Sequence, residues 1–250
     1  MIAVIMPFDH VVNTCLGQMT RSFYRLFHIF HYIVRMNQGL DISEIFFSIQ
    51  GESTHAGRPC IFVRLAGCHL DCAWCDTGFA QTGSRRMDLE TIVQAVSAYP
   101  SRLLEITGGE PLLQAPIYLL MQTLCDRGYE VLLETSGSLD ISRVDPRVKR
   151  IVDIKCPASG MADKNIWSNF QQLTPADELK IVIADRADYD WAKTILHQYA
   201  LIEKCAVLMA PVYGRIKNSE LAEWILADGL PVRYQLQLHK YIWSPDRRGV

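Results

Sequence analysis

From residue 60 onward, short apolar runs rich in β-branched residues alternate with longer stretches whose apolar positions recur every three or four residues. The runs at 60–66 (CIFVRLA), 103–107, 130–135, 150–155, 178–184 and 206–211 predict strands. The stretches at 88–99, 115–128, 187–200 and 218–229 predict amphipathic helices. Asp88 and Ser219 can accept the unpaired N–H groups at helix starts, and Gly128 and Gly229 can close helix ends. Strands alternating with helices predict an α/β fold with a parallel sheet. Six such strands suggest a barrel of (βα)6 type, partial or complete.

Polar and glycine-rich residues gather just after strand after strand: GCHLDCAWCDT after the first, GGEP after the second, TSG after the third and DIKCP at the fourth. In barrels of parallel strands the loops at the C-terminal ends build the active site. Groups spread over about 90 residues are therefore expected to converge in space.

Composition narrows this picture only modestly. The chain has 250 residues, is 49% hydrophobic and 21% charged, and carries a formal net charge of −2. No basic excess points to nucleic acid and no uninterrupted apolar run to a membrane partner. Its eight cysteines form one tight cluster rather than an even framework, which reads as a reducing, cytoplasmic setting. Residues 1–35 stand apart. From His10 to Leu40 there is no Asp or Glu, while Phe23, Leu26, Phe27, Phe30, Ile33 and Val34 recur at helical spacing. A peripheral amphipathic helix, a leader, or translated sequence upstream of a start at Met36 would each account for this. The last is adopted, because organised sequence begins only with LDISEIFFSIQGES, leaving 36–250 as one catalytic domain.

The sharpest chemical signal is CHLDCAWC, with Cys68, Cys72 and Cys75 inside eight residues. A zinc site would need a fourth ligand, and a thioredoxin-like pair would not need the third thiol. Three thiolates on one loop can hold three irons of a cubane, leaving the fourth iron open to a small molecule. This CxxxCxxC spacing, followed by TGGEP (107–111), ETSG (134–137) and DIK (153–155), resembles the radical S-adenosylmethionine (SAM) superfamily. Together with FFSIQGES, GRPCIFVRLAGC and the terminal QLQLHKYIW, residues 41–243 resemble its 7-carboxy-7-deazaguanine synthase family.

The resemblance implies a modified, reduced radical SAM barrel. Cys68, Cys72 and Cys75 would hold a [4Fe–4S] cluster whose open iron chelates SAM, and Thr77 would bind Mg²⁺. Trp74, Cys75, Asp76, Gly109, Glu110, Ser136, Asp153 and Lys155 would meet SAM, Glu110 by neutralising its ammonium. Family members often read Ser–Pro–Lys where this chain reads Asp153–Ile154–Lys155, which leaves the serine-type contact in doubt. A carboxylated pterin would be read by Ile49, Gln50, Gly51, Glu52, Arg64, Thr107 and His239, with Arg64 on its carboxylate. Blander roles stand beside these: packing for Trp74 and His239, loop capping for Thr77, an ion pair for Arg64, a simple turn for the glycine pair. Cys15, Cys60, Cys125, Cys156 and Cys205 are expected to pack in the core, Cys156 lying nearest the site. The implied reaction is radical contraction of 6-carboxy-5,6,7,8-tetrahydropterin with loss of ammonia. A flavodoxin- or ferredoxin-type electron donor and a homodimer are implied partners. A glycyl-radical activase or a non-catalytic iron–sulfur carrier are the rival readings.

Overall fold

The computed structural model describes residues 38–81 and 83–250; the expectations for residues 1–35 lie outside the described residues. Nine strands form one sheet among the described residues: β1 (Gly39–Ile49), β2 (Pro59–Leu65), β3 (Arg85–Asp88), β4 (Leu103–Gly108), β5 (Glu130–Thr135), β6 (Lys149–Ile154), β7 (Glu178–Ile183), β8 (Ala206–Pro211) and β9 (Arg233–Tyr234). Their order is β3-β1-β2-β4-β5-β6-β7-β8-β9. From β2 to β9 all neighbours are parallel, while β1 runs antiparallel to both β2 and β3. All six expected strands are present, in a curved, partial barrel.

Helices α1 (Leu89–Ser97), α2 (Ile117–Asp126), α3 (Arg186–Gln198) and α4 (Asn218–Ala227) match the four expected stretches, and a short α5 (His239–Ile242) follows. Asp88 caps α1 as expected, accepting from Thr91 N–H at 2.7 Å. Ser219 does not cap α4: Lys217 holds that position, its N–H donating to the Glu220 carboxylate at 3.4 Å. Gly128 and Gly229 do end their helices, at φ +79° and +57°. The barrel is reduced because the β5–β6 connection holds no α-helix and β6–β7 holds only three 3₁₀ turns. Pro146, Pro157, Gly160 and Pro175 in those connections break helical continuity.

Period-two alternation sorts each strand between two environments. Leu104, Ile106, Val131, Leu133, Leu179, Ile181, Val207 and Met209 join the main core with the helices. On the concave face, Phe46, Cys60, Phe62, Leu103, Leu132 and Ile151 form a second, smaller apolar cluster. Beyond it, toward the C-terminal strand ends, the same face turns polar with Glu105, Thr107, Glu134, Asp153 and Lys180, all lining one cavity. β1 was absent from the expected strands: it is an edge-proximal strand with only four of its 11 positions deeply buried, so its apolar run is short.

Candidate active site at the C-terminal strand ends

A cavity of about 600 Å³ opens on the concave face. Into it the structure brings Ile49 at the end of β1, Gln50, Gly51 and Glu52 just after it, and Arg64 from β2. The loop after β2 adds Cys68, Cys72, Trp74, Cys75, Asp76 and Thr77. Thr107 and Gly109 come from β4 and its turn, Ser136 from the end of β5, Asp153 and Lys155 from β6, and His239 from α5. Of the residues expected from sequence, Glu110 alone does not line the cavity.

The cysteine loop is pressed against the turn after β4. Glu110 N–H donates to Gly67 O at 2.9 Å and Gly109 N–H to Leu65 O at 3.2 Å. A Cβ on Gly109 would meet Gly67 O at 2.1 Å, and one on Gly108, at φ +141°, would meet Leu65 O at 2.2 Å. The glycine pair therefore admits the loop's own backbone, besides leaving room for a ligand. Ala73 N–H to Ser159 O, at 3.0 Å, ties the other side of the loop to the segment after β6. Thr77 Oγ1 stands 3.7 Å from Cys75 Sγ and donates to Gly108 O at 3.5 Å.

Glu110 is fully buried, and its carboxylate is consumed within the protein. It accepts from Leu112 N–H (3.0 Å), Thr135 Oγ1 (2.9 Å), and Ser136 N–H and Oγ (2.8 and 2.5 Å). From Ser136 the chain of contacts continues to Ser138 Oγ at 2.6 Å and on to His69 Nε2 at 2.9 Å, back in the cysteine loop. The geometry thus lets Glu110 fix the end of β5 against that loop.

The segment after β1 crosses the concave face, and alternate residues grip β4 and then β7. Gln50 donates to Glu105 on β4, Glu52 pairs with Lys180 on β7 at 2.5 Å, and Thr54 Oγ1 donates to Glu178. Lys180 is the hub: it also meets Glu134 at 2.6 Å and Asp153 at 3.5 Å. Burial opposes its charge, but the Glu134, Glu52 and Asp153 carboxylates hold its pKa well above the ordinary lysine value. Burial likewise opposes ionisation of Glu134, yet Lys180 and the Thr107 hydroxyl, 2.9 Å away, hold it below the usual range. Lys155 pairs with Asp153 Oδ2 at 3.1 Å, whereas Asp153 Oδ1 is buried with no partner.

Arg64 is not free. Its Nε meets Glu44 Oε1 at 2.8 Å, and its guanidinium lies 5.8 and 5.9 Å from the Phe46 and Phe79 ring centres. The ion pair weighed against a ligand role is therefore present, although Arg64 still lines the cavity. Asp76 pairs with Lys240 at 2.8 Å; burial would raise its pKa, but that ammonium holds it at about 2. Gly51 lies so close to His239 that a Cβ would meet Nδ1 at 2.3 Å, and Leu238 N–H donates to Gly51 O at 2.9 Å. Burial lowers the pKa of His239 despite Glu52 and Asp76, which favours a neutral imidazole.

The Radical SAM superfamily profile matches residues 63–158. A 7-carboxy-7-deazaguanine synthase of Chlorobaculum tepidum is 51% identical over 214 residues, covering 84% of this chain and 97% of its own length. The chain belongs to the 7-carboxy-7-deazaguanine synthase family. The Koribacter versatilis member is 43% identical over 226 residues, covering 84% of this chain and 100% of its own length. The crystal structure of QueE from Escherichia coli shares the fold, with a TM-score of 0.69 at 23% identity over 83% of this chain and 98% of that one.

Membership in this radical SAM family brings a [4Fe–4S] cluster and SAM as cofactors. The donor set fits. Cys68, Cys72 and Cys75 line the cavity on one loop, and each iron of a cubane takes its own thiolate. Among the described residues no fourth thiol competes: Cys60, Cys156 and Cys205 are buried in the core, and burial pushes Cys205 up to about 11. Cys125 packs against the core from α2, and Cys15 lies outside the described residues. The unpartnered Asp153 Oδ1 beside the cysteine loop is an acceptor suited to the hydroxyls of a nucleoside.

Sequence reasoning missed Glu105, Glu134, Lys180, Gln237 and Lys240, all in the cavity wall. The signal for the first three was legible: a charged residue inside an otherwise largely apolar strand. The pairing partners of Gln237 and Lys240, 161 and 164 residues away at Asp76, left no local trace.

Proposed function

We propose that this protein is a 7-carboxy-7-deazaguanine synthase, converting 6-carboxy-5,6,7,8-tetrahydropterin into 7-carboxy-7-deazaguanine and ammonia. The observation that carries this reading is a meeting of two remote segments beside the cysteine loop. Glu52 of the segment after β1 accepts from Gln235 at 3.3 Å and Gln237 at 3.0 Å near the C-terminus, while Gly51 abuts His239. In the sequence these two segments favour a small-molecule pocket over the docking surface of a glycyl-radical activase, and here they form one wall.

Cys68, Cys72 and Cys75 would carry the cluster, and Trp74, Asp76, Gly109, Ser136, Asp153 and Lys155 would bound SAM. Bound together, cluster and SAM would supply hydrogen-abstraction chemistry toward the substrate. The protein orients both molecules and excludes water. Thr107 and Ser136 offer hydroxyls, His239 a neutral imidazole, and Ile49, Gln50, Gly51 and Glu52 the floor under the ring. Arg64, shared with Glu44, would face the substrate carboxylate, and Mg²⁺ at Thr77 would neutralise charge there while keeping several waters. Substrate and products differ only by ammonia, so the conversion is redox-neutral and consumes no stoichiometric oxidant. Glu110 would act as a positioning residue behind Ser136.

Residues 36–250 would form the catalytic domain, acting in the cytoplasm as a homodimer. A flavodoxin- or ferredoxin-type donor would reduce the cluster. Among the described residues no helix is long and apolar enough to cross a membrane.

Anaerobic incubation of the reconstituted protein with SAM, dithionite, Mg²⁺ and the carboxytetrahydropterin tests the reading. Formation of the deazapurine supports it. If 5′-deoxyadenosine accumulates without any deazapurine, the substrate assignment is overturned while the superfamily chemistry stands.

A further inference from the structure

Glu105 stands in the cavity wall outside every role assigned above. It sits on β4 two residues before Thr107, so both face the cavity, and it is only 5% exposed. Gln50 Nε2 donates to its Oε2, and Gln50 Oε1 accepts from Glu52 N–H at 3.2 Å, so the amide is locked in one orientation. Among the described residues, no Lys, Arg or His forms an ion pair with Glu105. Lys180, whose field reaches it, is already shared by Glu52, Glu134 and Asp153. Those three carboxylates have only Lys180 and Lys155 to balance them. A fourth buried anion without a cation would be costly, and protonation removes the cost.

We propose that Glu105 reads the lactam edge of the pterin as a carboxylic acid, giving one O–H donor and one carbonyl acceptor. The inference rests on the pterin reading of the cavity. A pterin carries a ring C=O beside an N–H, and a carboxylic acid complements both at once. A carboxylate would meet the ring oxygen with like charge. The groups facing Glu105 are Cys60 on β2, Glu134 on β5, Glu52 after β1 and Lys180 on β7. Burial first, then the Glu134 carboxylate, raises Glu105 well above the carboxylate range, in keeping with the neutral form.

The test is binding of 6-carboxypterin, read by its fluorescence, to cluster- and SAM-loaded protein, alongside turnover of the tetrahydro substrate. E105L should weaken binding and raise KM about tenfold or more, because the ring edge loses its partners. E105Q keeps a donor and an acceptor without ionising and should recover most of that loss. Wild-type binding should fall as pH rises through the Glu105 ionisation, and that fall should vanish in E105Q. Iron content and thermal midpoint identify any variant that merely fails to fold. If E105Q is as impaired as E105L while both are folded and iron-loaded, a carboxylate is required and the proposal is overturned. E105L binding as tightly as wild type overturns it as well. Wild-type protein that binds the pterin but forms no deazapurine sinks the functional reading alone, because the Glu105 comparison is still read in binding.

Discussion

At the scale of single residues, chemistry here is decided by what each buried group is left to pair with. Asp153 keeps one oxygen unpartnered, Glu110 has spent all its acceptor capacity, and the cysteines divide into two classes. Burial raises the pKa values of Cys68 and Cys72, opposed in part by the Leu70 N–H at Cys68 and by Lys155 at Cys72; Cys205 is a buried apolar thiol far up at about 11. Cys72→Ala should therefore abolish cluster assembly, whereas Cys205→Ala should leave iron per chain near wild type. Iron and sulfide assays on both reconstituted variants check this, and equal loss in the two would refute the ligand assignment. The CxxxCxxC spacing was fully legible in sequence because all three thiols lie on one short loop. Glu44 as the partner of Arg64, and Thr135 and Ser136 as partners of Glu110, were not, because each lies on or just past a different strand, 20 to 26 residues away.

Elements set the next level. The loop after β2 is held between the glycine turn after β4 and the 3₁₀ segment after β6, so its shape depends on both neighbours. Gly109→Ala would drive a Cβ into Gly67 O at 2.1 Å and displace the loop. It should lower iron content and cost several kcal/mol, in the range of overpacking and strained sites. Gly160→Ala is the contrast: its φ is +77° but no atom lies within 4 Å, so only the left-handed penalty of about 1–2 kcal/mol applies. Urea midpoints and iron per chain for the two variants give the comparison. Sequence periodicity located the four longer helices to within a few residues, since each buries one apolar stripe. It missed β1 and the short β3 and β9, whose pairing is set by neighbours rather than by their own pattern, and it placed the α4 cap two residues late.

Over the whole molecule, the segment after β1 acts as a cross-barrel strap, and its far end forms a charged cluster at the opposite end of the strands. There Lys149 pairs with the fully buried Glu178 at 2.6 Å, and His55 lies 3.3 Å from Lys149 Nζ and beside Arg58. Burial, then Lys149, lowers the His55 pKa. A base whose folded pKa is depressed adds stability above its unfolded pKa and loses it as pH falls through the folded value. Stability should thus decline on acidification below about pH 6.5, the ordinary histidine value. His55→Gln should flatten that decline relative to wild type, read as urea midpoints between neutral and mildly acidic pH. His239, also depressed, contributes in the same direction in both proteins, so the difference isolates His55.

The sequence by itself determined the alternation of strands and helices, the face on which polar groups would gather, and the three-thiol loop. All of these rest on spacing along the chain, which short-range sterics and burial translate directly into structure. Tertiary structure alone decided which buried charges meet. That Gln50 faces Glu105, Glu52 faces Lys180, and Asp76 faces Lys240 follows from sheet order and strand stagger, which no local pattern encodes. Protonation in the cavity depends on those meetings, because a buried group's charge is set by the neighbours the fold brings to it.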